Sequence, residues 1–149
     1  KQVGLARWKR CIYATAPLLA AAHRAVGALR LDAKDIGILC VGQDLSANHT
    51  DVFLRRAHEG KPDLVNPLDF PHTLNSAVPG TLAQVLGAKA FAFILGDTPS
   101  AIRDALVAAQ EMLETDLASA VLIAVCAEAA TPLQDAPGKI LVPVATVLG

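Results

Sequence analysis

The sequence predicts an α/β domain with a mostly parallel sheet, helices on both faces of that sheet, and an antiparallel strand pair at the C-terminus. Hydrophobic residues make up 53% of the 149 residues, which is enough for a real core and too apolar for disorder. Short apolar runs alternate with segments of helix length, as the crossovers of a parallel sheet require. The last two runs are too close for a helix between them. We expect a single domain over residues 1–149.

The interior is predicted to consist of closely packed elements with few large rings. Alanine occurs 28 times, whereas aromatic residues make up 4% of the chain. A first helix over residues 17–29 places Leu18, Ala22 and Val26 on one face. The continuous apolar run over residues 36–41 is typical of a strand that is buried on both faces.

The middle of the chain combines loops with two helices. Thr50 is expected to cap a short helix that breaks at residues 60–62, Gly-Lys-Pro. Three prolines make residues 62–71 a structured loop. A helix over residues 75–86 follows, and Gly87 is expected to end it.

The second half of the chain repeats the pattern of strand and helix. A strand over residues 90–95 leads into a long helix over residues 99–114, which Thr98 is expected to cap. Two further strands, over residues 120–127 and 140–147, are expected to pair as a terminal hairpin. The buried face of the long helix is predicted to contain Ile102, Ala105, Leu106, Ala109 and Leu113.

Charge and cysteine spacing exclude several classes of function. The chain has 13 Lys+Arg and 14 Asp+Glu residues, so it lacks the positive field of a nucleic-acid-binding protein. The apolar stretch over residues 117–127 is shorter than the about 20 residues that span a membrane. Cys11, Cys40 and Cys126 show no metal-binding spacing with one another or with the four histidines. We expect no cofactor, no bound metal, no membrane span and a cytoplasmic location.

The strongest candidate for a binding or catalytic site is the turn after the second strand, because ligands bind at the carboxyl ends of strands in open α/β sheets. Backbone N–H groups at the start of the next helix could hold an anion there. The turn lacks the G-x-S-x-G pattern of a serine hydrolase, however, and helix capping is the simpler interpretation. The residues of this turn are Leu95, Gly96, Asp97, Thr98, Pro99 and Ser100.

The remaining polar candidates give weaker signals. Cys40 and Cys126 lie in apolar runs, which is more typical of core packing than of nucleophiles. His72 is interpreted as a loop residue with local hydrogen bonds rather than as a catalytic base. A small basic patch is either a solvated helix face or a docking point for an acidic partner, and it consists of Arg55, Arg56 and Lys61.

One stretch, VNPLDFPHTLNSAVPG over residues 65–80, resembles the N-terminal half of β-ketoacyl synthases. In that family a loop rich in proline and phenylalanine and a small-residue helix precede the strand that carries the active-site cysteine. The order of the predicted elements also agrees over residues 15–130, with residues 67–87 as the specific part. The resemblance implies a thiolase-like half-fold. It is carried by Pro67, Phe70, Pro71, His72, Thr73, Asn75 and Gly80.

Two departures distinguish the chain from active ketosynthases. Residues 95–99, at the turn where the family has its cysteine, read Leu-Gly-Asp-Thr-Pro and contain no sulfur. The second half of a ketosynthase, which brings the residues that act on the malonyl group, has no room in 149 residues. The chain therefore resembles a shortened, cysteine-less chain-length factor, a type of subunit that pairs with an active ketosynthase and shapes its acyl tunnel.

The resemblance implies a non-catalytic accessory subunit of fatty-acid or polyketide assembly. One implied partner is a second copy of the chain or a ketosynthase, paired along the strand over residues 90–95. The other is an acyl carrier protein, whose acidic surface could bind the basic patch. Two alternatives stay open. One is a truncated or split β-ketoacyl-ACP synthase, an acyltransferase whose catalytic half lies on another chain. The other is a small α/β module that binds an anion or an acyl pantetheine at residues 96–100.

Overall fold

Four apolar runs pair into one sheet with the strand order β2-β1-β3-β4. Strand β1 pairs parallel with β2 and with β3, whereas β3 pairs antiparallel with β4. The predicted mostly parallel sheet with a terminal antiparallel pair is therefore confirmed. The strands are β1 (Ile36–Val41), β2 (Phe91–Leu95), β3 (Ala120–Val125) and β4 (Val144–Leu148). The structure is a computed structural model that describes residues 15–27, 32–42, 45–59, 65–96, 98–125 and 144–148.

Helices cover both faces of this sheet, as expected for parallel strands joined by crossovers. Helices α1 and α3 pack against one face, and α4 packs against the other. The α-helices are α1 (Thr15–Gly27), α2 (Ala47–His58), α3 (Ala77–Leu86) and α4 (Ala101–Glu114). Two 3₁₀ helices complete the described elements, η1 (Ala33–Asp35) and η2 (Pro67–Thr73).

Strand β1 is the centre of the core, because all six of its residues are buried. Alternate side chains point to opposite faces of a sheet. Ile36, Ile38 and Cys40 join the core under α1 and α3, whereas Leu39 and Val41 join the core under α4. The prediction that this strand is buried on both faces is confirmed.

The buried face of α4 differs from the prediction. Its fully buried residues are Ala101, Ala105 and Ala109, whereas the side chains of Ile102 and Leu106 are exposed. Alanine allows a helix to approach a sheet closely, so the narrow alanine stripe faces β1 and β3 and turns the larger side chains outward. The predicted inclusion of Ile102 and Leu106 in the core was therefore wrong.

Two predicted helix starts were also wrong. Helix α2 begins at Ala47 rather than at Thr50, whose hydroxyl instead donates to the carbonyl oxygen of Thr73 at 3.1 Å. Helix α4 begins after Ser100 rather than after Thr98. The predicted stop at Gly87 is confirmed, since this residue ends α3 with a left-handed φ of 80°.

Some sequence predictions lie outside the described residues, namely those that concern Cys11, Lys61, Asp97 and Cys126, the helix break at residues 60–62, and the first four residues of the strand predicted over residues 140–147. Within the described ranges the longest helix has 14 residues, and no helix there is long and apolar enough to cross a membrane.

Candidate functional site

Strand β2 forms one edge of the described sheet. In the part of the chain that the structure describes, it pairs with β1 and has no strand on its other side. An edge strand offers a row of backbone N–H and C=O groups to another chain. The side chain of Phe93, in the middle of this strand, is 53% exposed. The strand expected to form the dimer edge therefore lies at an edge of the described sheet.

Strand β2 carries a stacked pair of aromatic rings. The rings of Phe91 and Phe93 lie 5.5 Å apart between centroids, with an interplanar angle of 15°. The Phe91 ring occupies the space above Gly37, its register partner on β1, where a Cβ atom would overlap the ring. Because glycine has no side chain, the ring can lie against the backbone of β1. The missing side chain at Gly37 therefore allows the aromatic pair to lie close to the sheet.

The turn after β2 contains hydroxyl and carboxylate groups. Ser100 Oγ donates to Asp104 Oδ2 at 2.8 Å and lies 3.2 Å from Thr98 Oγ1. Leu95 is half-buried and Gly96 is exposed, while Asp97 lies outside the described residues. Although Ser100 takes the N-cap position of α4, its side chain makes no capping hydrogen bond.

This turn does not contain the parts of a nucleophilic centre within the described residues. A serine nucleophile needs a base within hydrogen-bonding reach, usually an imidazole, whereas the Ser100 hydroxyl contacts the side chains of an aspartate and a threonine. No group of three or more His, Cys, Asp or Glu side chains suited to a metal ion occurs in the described ranges. Chemically, the turn offers exposed hydroxyl groups at the start of a helix.

The loop that carries the family resemblance is attached to the start of α2 through Ser46. The single hydroxyl hydrogen of Ser46 is shared between two acceptors, the carbonyl oxygen of Thr73 at 2.7 Å from Oγ and Asn75 Oδ1 at 2.9 Å. The backbone N–H of Ser46 donates to the same Asn75 oxygen at 3.3 Å. Ser46 is the buried polar residue of the described chain, at 4% exposure. Sequence reasoning missed it, because its partners lie 27 and 29 residues away.

Two ring contacts strengthen the attachment of η2 to α2. His49 and His72 meet edge to face with centroids 5.6 Å apart, and Phe53 meets Phe70 at 6.0 Å. The Nδ1 atom of His72 is buried and has no hydrogen-bond partner among the described residues. These contacts give His72 a packing role. Its interpretation as a loop residue with local hydrogen bonds was wrong, because it lies within the 3₁₀ helix η2 and its Nδ1 makes no hydrogen bond there.

The other residues of the resembling loop have local roles. Asn66, just before η2, accepts a hydrogen bond from the N–H of Leu68 at 3.0 Å, and Pro67 is the first residue of η2. The Thr73 hydroxyl donates to the carbonyl oxygen of Phe70 at 2.7 Å. Gly80 lies inside α3, where an added Cβ would meet open space.

The arginines of the predicted basic patch already have carboxylate partners. Arg55 pairs with Asp51 at 2.9 Å on the same helix, and Arg56 pairs with Asp69 of η2 at 3.7 Å. Both arginine side chains are more than half exposed, so these pairs contribute little stability. Docking of an acidic partner at these arginines stays a prediction and would have to compete with the aspartates.

A shallow hollow of about 410 Å³ lies at the opposite end of the sheet, where the strands begin. Its lining carries both signs of charge, from Lys34 and Lys89 and from Asp35 and Asp116. In open α/β sheets ligands collect at the carboxyl ends of the strands. Because the hollow lies where the strands begin, it is separate from the turn after β2 and is not at the usual position of a ligand site.

Comparison with known proteins gives matches among solved structures, whereas no protein-family model and no curated protein matches the chain. The ishigamide ketosynthase/chain length factor matches with a TM-score of 0.71 at 20% identity, over 90% of this chain and 42% of that chain. A ketosynthase (ApeO) in complex with its chain length factor (ApeC) from Xenorhabdus doucetiae gives 0.65 at 12% identity, over 89% and 52%.

A third match is the AntDE:AntF structure, a type II PKS acyl-carrier protein in complex with its ketosynthase bound to the hexaketide. It gives a TM-score of 0.62 at 23% identity, over 77% of this chain and 31% of that chain. The chain thus spans between 31% and 52% of the length of the matched chains.

These matches establish the fold of the described chain as the thiolase-like fold of ketosynthases. Two of the three matched structures contain a chain length factor by their own description. The expected thiolase-like half-fold is therefore confirmed.

Proposed function

We propose that this chain is a non-catalytic, ketosynthase-like accessory subunit of fatty-acid or polyketide assembly, of the chain-length-factor type. The observation that carries the proposal is that edge strand β2 leads directly into a turn without sulfur. An active ketosynthase needs a thiol at that turn as its nucleophile. This chain has Gly96, Asp97 and Thr98 there, so it depends on a partner for carbon–carbon bond formation.

The proposed partner is a ketosynthase subunit that pairs with the chain along β2. Exposed strand edges are completed when a second chain adds a strand, and oligomeric partners cover them. The stacked Phe91 and Phe93 rings lie beside this edge and give it an apolar surface. A paired subunit would cover both the unpaired backbone groups and the rings. The cytoplasm, where malonyl carrier thioesters are made and used, is the proposed location.

An acyl carrier protein is the proposed partner of the assembled complex rather than of this chain alone. One of the matched structures is described as holding a carrier protein together with its ketosynthase. The proposal assigns the acyl thioester to the cysteine of the partner ketosynthase. This chain would contribute surface to the complex.

Association can be tested by mixing the purified chain with a purified ketosynthase subunit and measuring the molar mass by light scattering. We expect a one-to-one heterodimer, which Phe93→Asp weakens at least tenfold, since it places a charge on an apolar edge. Leu117→Asp is the matched control, because Leu117 is 60% exposed but lies where β3 begins. Failure of the wild-type chain to bind any ketosynthase subunit would contradict the proposal. Condensation of malonyl thioesters by the chain alone would favour the split-enzyme alternative.

A further inference from the structure

Three chain segments meet at the hollow where the parallel strands begin. The backbone N–H of Lys89, before β2, donates to the carbonyl oxygen of Lys34 at 3.2 Å, and that of Ser119, before β3, donates to the carbonyl oxygen of Asp35 at 2.9 Å. The segment before β1 therefore lies between the other two. Because neighbouring strands lie about 4.8 Å apart, the two outer segments are about 10 Å apart.

The lining of the hollow is neutral in total but carries opposite charges on its two sides. The lysines Lys34 and Lys89 balance Asp35 and Asp116. Lys34 already pairs with Asp32 at 3.9 Å. Lys89 on the β2 side and Asp116 on the β3 side are exposed, and neither has an oppositely charged partner among the described residues. A ligand with one sign of charge would gain no net attraction here, whereas a zwitterion can satisfy both sides.

Asp116 occupies a position at which a carboxylate does not favour the fold. It follows α4 with a left-handed φ of 57°. Its N–H donates to the carbonyl oxygen of Leu113 at 3.1 Å, and the N–H of Leu117 donates to that of Met112 at 3.0 Å. Glycine is the usual residue in this type of helix end, and α3 ends on Gly87 with a φ of 80°. A negative charge at the C-terminus of a helix is also unfavourable.

A site for an ammonium group gives this carboxylate a function. The last carbonyl groups of a helix carry a partial negative charge, which adds to the charge of Asp116. Residues that a fold retains in an unfavourable backbone conformation are typical of functional sites. Leu117 often would pack back on its helix in this type of helix end, but it is 60% exposed and lines the hollow. It therefore offers an apolar contact beside the carboxylate.

The dimensions of the hollow favour a ligand of dipeptide size. Its volume of about 410 Å³ lies within the range of small-molecule sites. An extended residue spans about 3.3–3.6 Å, so the ammonium and carboxylate groups of a dipeptide lie about 6–7 Å apart. With a hydrogen bond of about 3 Å at each end, a dipeptide reaches across the hollow. The two charged groups of a free amino acid are attached to one carbon atom and are too close together.

We propose that the hollow binds a small zwitterion of dipeptide size. Its carboxylate pairs with Lys89, its ammonium group pairs with Asp116, and an apolar side chain packs on Leu117. This site goes beyond the proposed function, because it lies at the opposite end of the sheet from the turn after β2 and contains none of residues 91–95.

The test is an NMR titration of the purified chain with leucyl-leucine. We expect one saturable site with a Kd on the order of 0.1–1 mM, which is typical of a ligand with so few atoms. The backbone amide signals of Lys34, Lys89 and Ser119 should shift most. Two analogues separate the charges, N-acetyl-leucyl-leucine without the ammonium group and leucyl-leucinamide without the carboxylate. Each should bind at least tenfold more weakly.

Three variants separate binding from folding. Asp116→Gly should raise Kd at least tenfold but also raise Tm by about 1–4 °C, because it removes the unfavourable charge and side chain from the helix end. Lys89→Met should raise Kd for leucyl-leucine at least tenfold and leave the weaker binding of leucyl-leucinamide unchanged. Glu114→Gln is the matched control: it removes a carboxylate from the same end of α4 but lies outside the lining, so Kd should not change.

Several results would overturn this proposal. They are the lack of a saturable shift at millimolar leucyl-leucine, equal affinity for the acetylated peptide, and equal affinity of Asp116→Gly and the wild type. A lower Tm of Asp116→Gly would show that the carboxylate stabilises the helix end, which would contradict its assignment to a ligand. Loss of binding in Glu114→Gln would contradict the placement in the hollow. None of these results bears on the proposed function, because no ketosynthase subunit takes part in the titration.

Discussion

Gly37→Ala tests the contact that holds the aromatic edge against the sheet. A Cβ atom at position 37 would overlap the far end of the Phe91 ring, so this ring would have to move away from β1 and out of its stack with Phe93. Overpacking of this kind costs about 1–3 kcal/mol. In a domain of this size 1 kcal/mol corresponds to about 2–4 °C in Tm. We therefore expect Gly37→Ala to lower Tm by roughly 2–12 °C.

A double-mutant cycle isolates this contact from other effects of the substitution. Phe91→Ala removes the ring, so the methyl group that Gly37→Ala adds then has room. The double variant should be more stable than the sum of the two single changes predicts, by about 1–3 kcal/mol, in urea denaturation followed by circular dichroism. Additive effects of the two substitutions, or a Gly37→Ala variant as stable as the wild type, would refute the close approach of ring and backbone.

Three further substitutions test the packing around the site by urea denaturation. Ser46→Ala should lower the free energy of unfolding by about 0.5–1.5 kcal/mol, because it removes a part-buried hydroxyl donor, while the oxygens of Thr73 and Asn75 keep the Thr50 hydroxyl and the backbone N–H of residue 46 as donors. Exposed Ser119→Ala is its control, and equal stability of the two variants would contradict this role. Ala105→Leu should lower the free energy of unfolding by about 1–3 kcal/mol, since Ala105 is fully buried where α4 packs on the sheet. Unchanged stability would mean that α4 does not pack closely on the sheet. Arg56→Ala should change stability by less than about 1 kcal/mol, because its pair with Asp69 is largely exposed; a larger loss would show that this ion pair holds η2 in place.

The strands were predictable because each is a continuous apolar run. Strand β1 has the predicted bounds, β2 begins one residue later than predicted, and β3 has the predicted start, while its predicted last two residues lie outside the described ranges. Long apolar runs separated by helix-length segments leave few arrangements other than a parallel sheet. The lack of sulfur in the turn after β2 is visible directly in the sequence. The structure adds that this turn follows an edge strand.

The parts that sequence reasoning missed depend on contacts between distant residues. Ile102 and Leu106 have the hydrophobicity of core residues, but the sheet accepts the smaller alanines of α4 instead. Ser46 is one polar residue among many, and its role depends on the way η2 folds back onto α2. The placement of the Phe91 ring over Gly37 requires the register of β1 and β2. None of these relations has a local sequence signal.

The most direct test of the account is an assay of carbon–carbon bond formation from malonyl carrier thioesters with the chain, the ketosynthase subunit and both together. Each protein is purified free of host condensing enzymes. We expect no product from the chain alone. We expect the complex to form product. Product formation should be lost when the cysteine nucleophile of the ketosynthase is replaced, and it should persist when this chain carries Cys40→Ala. Condensation by the chain alone would contradict the account.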